Sequence, residues 1–152
     1  MKLYLMRHGE AGFDAPSDFD RSLTERGIMA LDRMLSRERA VLDDVSAVLP
    51  SPYLRARQTA DRVVSHLGVP LLEPNTAFIP DIDTRLALAA LESSMLDGLL
   101  LVSHQPLIGK LVATLIEGDA RRPEPMLPGA VAILELDWPA AGLATLLKKL
   151  HV

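Results

Sequence analysis

The chain has 152 residues, of which 49% are hydrophobic and 24% charged, with a formal net charge of −4 and no cysteine. This balance suits one soluble globular domain with a substantial core, and it argues against disorder and against a basic nucleic-acid-binding face. The lack of thiols excludes disulfides, cysteine nucleophiles and cysteine-ligated zinc.

Leu3 to Met6 is a short apolar run that ends in Arg7, His8, Gly9 and Glu10. It predicts a first strand that delivers an arginine and a histidine together into a turn. Gly9 removes a side chain where a ligand must come close to the backbone. The run is too short for the apolar core of a signal peptide, and no stretch approaches the roughly eighteen apolar residues of a membrane span. A cytoplasmic location is therefore expected. Thr24 can cap a helix running toward Ala40, with Ile28, Leu31, Met34 and Leu35 on one face. Val45 to Leu49 reads as a second buried strand, bounded by Pro50 and Pro52. Pro52 suits the first turn of the next helix, whose apolar stripe is Ala56, Ala60, Val63, Val64 and Leu67 and whose stop is Gly68. Val69 to Leu72 is a short strand candidate, and a modest helix from Thr84 to Ser94 carries Leu86, Leu91 and Met95. Leu99 to Val102 is continuously apolar, as expected for a central parallel strand covered on both faces. Pro106 opens a helix with Leu107, Leu111 and Leu115, Gly118 ends it, and a surface loop follows to Gly129. Ala130 to Leu136 and Leu143 to Leu150 pair as closing strands. Strands alternating with helices predict a three-layer α/β/α sandwich with a mostly parallel central sheet, in one domain over residues 1–152.

In such a fold, ligands bind beyond the carboxyl ends of the strands. Arg7 and His8 sit at one such end, and Ser51 to Thr59 forms a strand-to-helix junction with Arg55 in the helix's first turn. Ser103, His104, Gln105 and Pro106 leave the most hydrophobic strand, and the free amides of the helix opened by Pro106 make a natural anion site near His104. An imidazole nitrogen is a competent nucleophile toward phosphorus, and guanidinium forks hold phosphoryl oxygens bidentately. His8, His104, Arg7 and Arg55 converging on one crevice therefore predict phosphoryl chemistry. Arg57 points roughly 200° away from Arg55 on a helix and should face solvent. His66, at a helix end where it favours the dipole, and His151, in the tail, receive no catalytic role. A metal site on His8, His104 and an aspartate competes with this reading, but arginines beside a divalent cation would repel it and tightly spaced metal motifs are absent.

The residues that carry this chemistry resemble the histidine phosphatase superfamily, and within it the short phosphohistidine phosphatases of the SixA type. The resemblance rests on Leu5-Met6-Arg7-His8-Gly9-Glu10-Ala11, Arg21-Ser22-Leu23-Thr24-Glu25-Arg26-Gly27, Ser51-Pro52-Tyr53-Leu54-Arg55-Ala56-Arg57-Gln58-Thr59-Ala60 and Val102-Ser103-His104-Gln105-Pro106-Leu107, in family order and over nearly the whole chain. It implies a phosphoglycerate mutase-like fold and His8 as the nucleophile that becomes phosphorylated. It also implies that Arg7 and Arg55 bind the phosphoryl group, that His104 completes the pocket and that Arg21 lies near its mouth. Ser22 departs from the family's usual proline. No cofactor or metal is implied.

Between the Arg55 helix and the Leu99 strand the chain is too short for a helical lid domain. An open site suits a phosphorylated side chain on another protein, such as a histidine phosphotransfer domain. Larger relatives supply a carboxylic acid for an alkoxide leaving group, and the matching region here holds Asp81 and Asp83. The expected function is metal-independent removal of phosphate from protein phosphohistidine. The alternatives are a phosphatase for a small phosphomonoester with Asp81 as general acid, and a phosphate-binding module without turnover.

Overall fold

The computed structural model describes residues 1–152. The apolar runs become strands at Lys2–Arg7 (β1), Ala47–Pro50 (β2), Leu99–Ser103 (β3), Val131–Glu135 (β4) and Thr145–Leu150 (β5), with helices at Glu25–Arg37 (α1), Leu54–Leu67 (α2), Thr84–Ser94 (α3) and Leu107–Glu117 (α4). They build one mixed sheet in the order β2-β3-β1-β4-β5. β2, β3 and β1 pair in parallel, whereas β4 runs antiparallel to both β1 and β5.

Side chains alternate along a strand, so each central strand feeds two cores. Tyr4, Met6, Val48, Leu100 and Val102 pack with Leu31, Met34 and Leu35 of α1 and with Ala56, Ala60 and Val63 of α2. Leu3, Leu5, Leu49, Leu99 and Leu101 pack on the opposite face with Ala87 and Leu91 of α3 and with Leu107, Ile108, Leu111, Val112 and Leu115 of α4. The result is the expected three layers. The segment from α2 to β3 holds only a 3-10 turn at Thr76–Phe78 and α3, with no lid domain. No helix is long and apolar enough to cross a membrane.

Several local expectations shift. α2 begins after Pro52, with Tyr53 as its N-cap, and ends at Gly68 in the left-handed region. The strand expected over Val69 to Leu72 reduces to a single bridge between Leu71 and Val48, because Pro70 has no amide to donate and β2 is short. α3 has the expected bounds, but Ala87 and Leu91 are its buried residues and Leu86 is 60% exposed. Leu86 lies about 140° around the helix from Leu91 and faces solvent.

Thr24 caps α1 through a 2.9 Å bond from the Gly27 amide. Gly27 itself is fixed by a close backbone approach, since a Cβ there would stand 2.4 Å from the Glu10 carbonyl oxygen. Main chain cannot yield as a flexible side chain can. Gly27→Ala should therefore destabilise by about 1–3 kcal/mol, read as a lower urea midpoint at unchanged m-value.

Candidate active site

The parallel pairing of β1 with β3 sets Arg7 opposite Ser103. The next residue on each strand, His8 and His104, therefore leaves the sheet side by side. The His8 amide donates to the Ser103 carbonyl at 3.0 Å, and the two rings stand 5.2 Å apart between centroids, tilted by 56°. Both are buried. β2 delivers Ser51 to the same edge, where its amide donates to Val102 at 2.9 Å. The first turn of α2 then turns Arg55 inward, leaving it 4% exposed, whereas Arg57 points to solvent and donates to the Pro52 carbonyl at 2.9 Å. The structure thus brings His8, His104 and Arg55 together at this edge, with Arg7 one residue before His8 at the end of β1.

The hydrogen bonds define the state of His8. Its Nδ1 lies 2.7 Å from the Gly9 carbonyl oxygen. A carbonyl can only accept, so Nδ1 carries the ring proton and Nε2 presents its lone pair. Arg55 Nε donates to that lone pair at 3.2 Å. Burial, reinforced by Arg55, Arg7 and Arg21, lowers His8 from 6.5 to about 4 against the opposing effect of the Gly9 carbonyl. The resting imidazole is neutral, with its nucleophilic nitrogen held inside the pocket.

His104 is oriented from behind. Its Nε2 lies 2.7 Å from Ser51 Oγ, which also accepts from the Tyr53 amide at 3.3 Å. The fully buried Ser51 hydroxyl has no other acceptor for its proton, so it donates to Nε2 and leaves His104 protonated on Nδ1. That Nδ1 and Arg7 Nε are buried and make no hydrogen bond within the protein. Arg7 is braced by donation from its NH1 to the Met126 carbonyl at 2.9 Å. Two spare donors thus belong to residues flanking the nucleophile, as a tetrahedral oxyanion requires. Burial, then His8, Arg55 and Arg7, lowers His104 to about 3, with only Asp18 opposing, so His104 donates as a neutral ring. Ser51→Ala should cost about tenfold in kcat/KM, the scale of one hydrogen bond, with little change in KM.

These two histidines also make stability depend on pH. Both folded values lie below the unfolded 6.5, so the unfolded chain binds more protons below that pH. Their contribution is fully present above 6.5 and is lost as the pH falls toward 4. The slope reaches about 1.4 kcal/mol per pH unit for each group. Urea midpoints should drop from pH 7 to pH 5, and His104→Gln should flatten that drop.

Other expectations change. Two of the leading α4 amides are not open to an anion, because Ile108 N donates to His104 O at 2.7 Å and Gly109 N donates to Gln105 Oε1 at 2.8 Å. The Gln105 side chain caps the helix that Pro106 was expected to leave free. The space above Gly9 is filled by the protein, since a Cβ there would meet Leu31 Cδ1 at 2.7 Å. Gly9 therefore serves core packing, and its amide donates to Thr59 Oγ1 at 3.0 Å. His66 pairs with Asp32 at 3.0 Å in addition to ending α2. No group of three or more histidine or acidic side chains is arranged to hold a metal ion.

Asp18 is the residue that the sequence reading missed. Arg55 NH1 donates to its carbonyl at 2.7 Å and NH2 to its carboxylate at 3.3 Å, while Arg21 NH1 donates to the other carboxylate oxygen at 3.1 Å. Arg21 thereby reaches the site one contact removed, anchored by donation from Nε to the Gly12 carbonyl at 2.8 Å. A salt-bridge partner supplied by an irregular loop leaves no periodic signal. Asp83 caps α3 and pairs with Arg85 at 3.1 Å. Asp81 is exposed on a left-handed backbone (φ 64°) and makes no hydrogen bond or ion pair.

The model of the histidine phosphatase superfamily (branch 1) matches residues 3–76, which include Arg7, His8, Arg21 and Arg55. The phosphohistidine phosphatase SixA of Escherichia coli (strain K12) is 34% identical over 144 residues, covering 90% of this chain and 86% of that protein. The chain belongs to the histidine phosphatase superfamily. A SixA homologue from Haemophilus influenzae is 29% identical over 90% of the chain and 89% of its own length. A solved structure of the protein histidine phosphatase SixA complexed with tungstate superimposes with a TM-score of 0.86 at 34% identity, covering 99% of this chain and 96% of that one.

Proposed function

We propose that the chain is a phosphatase for protein-borne phosphohistidine, working through a phosphorylated His8. The observation that carries this reading is the His8 ring, neutral, proton on Nδ1, Nε2 facing the buried Arg55 guanidinium. In this proposal Arg7 and Arg55 hold the phosphoryl oxygens, and oxygen binding draws Arg55 Nε off the His8 lone pair. Nε2 then attacks phosphorus while the substrate nitrogen takes the electrons of its breaking bond to phosphorus. Phosphorylated His8 becomes an imidazolium whose Nδ1 keeps its proton and donates it in a hydrogen bond to the Gly9 carbonyl. Water later attacks phosphorus, and His8 leaves neutral. Charge accumulating on the equatorial oxygens meets Arg7, Arg55 and the His104 Nδ1 proton, so fixed donors stabilise the transition state. The solved SixA relative is complexed with tungstate, a tetrahedral oxyanion.

Substrate class follows from access and leaving group. No lid covers the pocket. A phosphoryl group on a folded partner, such as a histidine phosphotransfer domain, can therefore reach it. Imidazole departs neutral without a strong acid, whereas alkoxide needs a proton, and Asp83 is engaged as a helix cap. The test is hydrolysis of a phosphohistidine peptide against a panel of sugar and nucleotide phosphates. Faster turnover of the peptide, little altered by Asp81→Asn, is expected. A small alkyl phosphate as the best substrate, with turnover abolished by Asp81→Asn, would replace this reading with a small-molecule phosphatase.

A further inference from the structure

An aromatic file runs from the nucleophile to the surface. His8 lies 5.2 Å from His104, His104 5.2 Å from Tyr53, and Tyr53 5.1 Å from Phe19, centroid to centroid. Exposure rises along it: both histidines are buried, Tyr53 is half-buried and Phe19 is 42% exposed. Neither core cluster includes Tyr53 or Phe19, so the pair is not an outgrowth of the hydrophobic interior.

Phe19 is nevertheless held in place. The Leu54 amide donates to its carbonyl at 3.1 Å, and Arg55 grips the preceding Asp18 through both carbonyl and carboxylate. Asp18 and Phe19 are thus fastened to the N-terminal turn of α2, the same turn that supplies Arg55. A partly exposed aromatic ring, fixed by polar bonds beside the reacting groups, is a preorganised apolar wall.

In-line transfer places the leaving atom on the far side of phosphorus from His8 Nε2. Phosphorus itself lies about 3–3.5 Å from the attacking atom in a near-attack geometry. The ring bearing the phosphoryl group therefore lies outward of the histidines, where the file continues as Tyr53 and Phe19. We propose that Tyr53 and Phe19 form a leaving-group subsite that receives an aromatic ring attached to the phosphoryl group. Only the identity of that ring as imidazole rests on the phosphohistidine reading above. The bond from phosphorus to the ring nitrogen breaks with its electron pair remaining on nitrogen, the other ring nitrogen already carries a proton, and neutral imidazole leaves against the aromatic wall.

The test separates the ring from the phosphoryl pocket. Phenylphosphonate and methylphosphonate present the same anionic head, and calorimetric titration gives their ratio of affinities. Wild type should prefer the phenyl compound, and Phe19→Leu and Tyr53→Leu should each reduce that preference by about fivefold to tenfold, the scale of one aromatic pair. Phe19→Trp and Tyr53→Phe should retain it. On a phosphohistidine peptide, the two leucine variants should lose kcat/KM in parallel with the lost preference. Equal affinity of wild type for the two phosphonates would overturn the subsite, as would a ratio left unchanged in both leucine variants. A wild type that shows the phenyl preference but spares phosphohistidine would overturn the substrate reading alone.

Discussion

His8→Ala is expected to lower turnover of a phosphohistidine peptide by at least about a thousandfold, because no other group can carry the covalent step. His104, the nearest imidazole, has its Nε2 engaged by Ser51 Oγ at 2.7 Å and its Nδ1 protonated, so it offers no lone pair. Arg7 and Arg55 remain to bind oxyanion in the variant. Affinity for inorganic phosphate should therefore persist while kcat collapses, and the urea midpoint checks that the fold survives. Near-normal turnover in a folded His8→Ala protein would exclude covalent catalysis at this position.

Arg55→Ala is expected to cost about a hundredfold to a thousandfold in kcat, as the loss of one oxyanion donor does. Arg57→Ala should stay within about twofold, the effect of an exposed side chain away from the chemistry. The two residues are neighbours but one turns into the site and the other out of it. Arg55 is 4% exposed and donates to His8 Nε2, whereas Arg57 is exposed, donates to Pro52 of its own turn and lies 6.0 Å from the centroid of the Phe19 ring, with no contact to either histidine. Steady-state kinetics on both variants, with denaturation curves alongside, measure the contrast. Comparable losses would mean that the inward face of α2 is not what positions the phosphoryl group.

The residues best read from sequence are those fixed by strand ends and helix phase. Arg7, His8 and His104 follow apolar runs whose burial forces them to the sheet's carboxyl edge, and Arg55 follows from its phase with Ala56 and Ala60. These are local patterns. The contacts that tune them are not local. Asp18 reaches Arg55 across 37 positions from an irregular loop, and Ser51 sets the His104 tautomer across 53. Gln105 shows how a polar side chain can close an apparent anion site, since it occupies an amide that Pro106 seemed to leave free. Gly9 shows that a glycine beside a nucleophile can answer to the core, because Leu31 fills the space a side chain would need.

The most direct test of the account is to trap the enzyme during turnover. Wild type mixed with labelled phosphohistidine peptide, quenched in alkali and digested, should yield an acid-labile, alkali-stable phosphate on His8 alone. Phosphorus–nitrogen NMR coupling should place it on Nε2, the nitrogen left unprotonated by the Gly9 contact. Label on Nδ1, on His104 or on a carboxylate, or turnover without any phosphorylated enzyme, would contradict the mechanism.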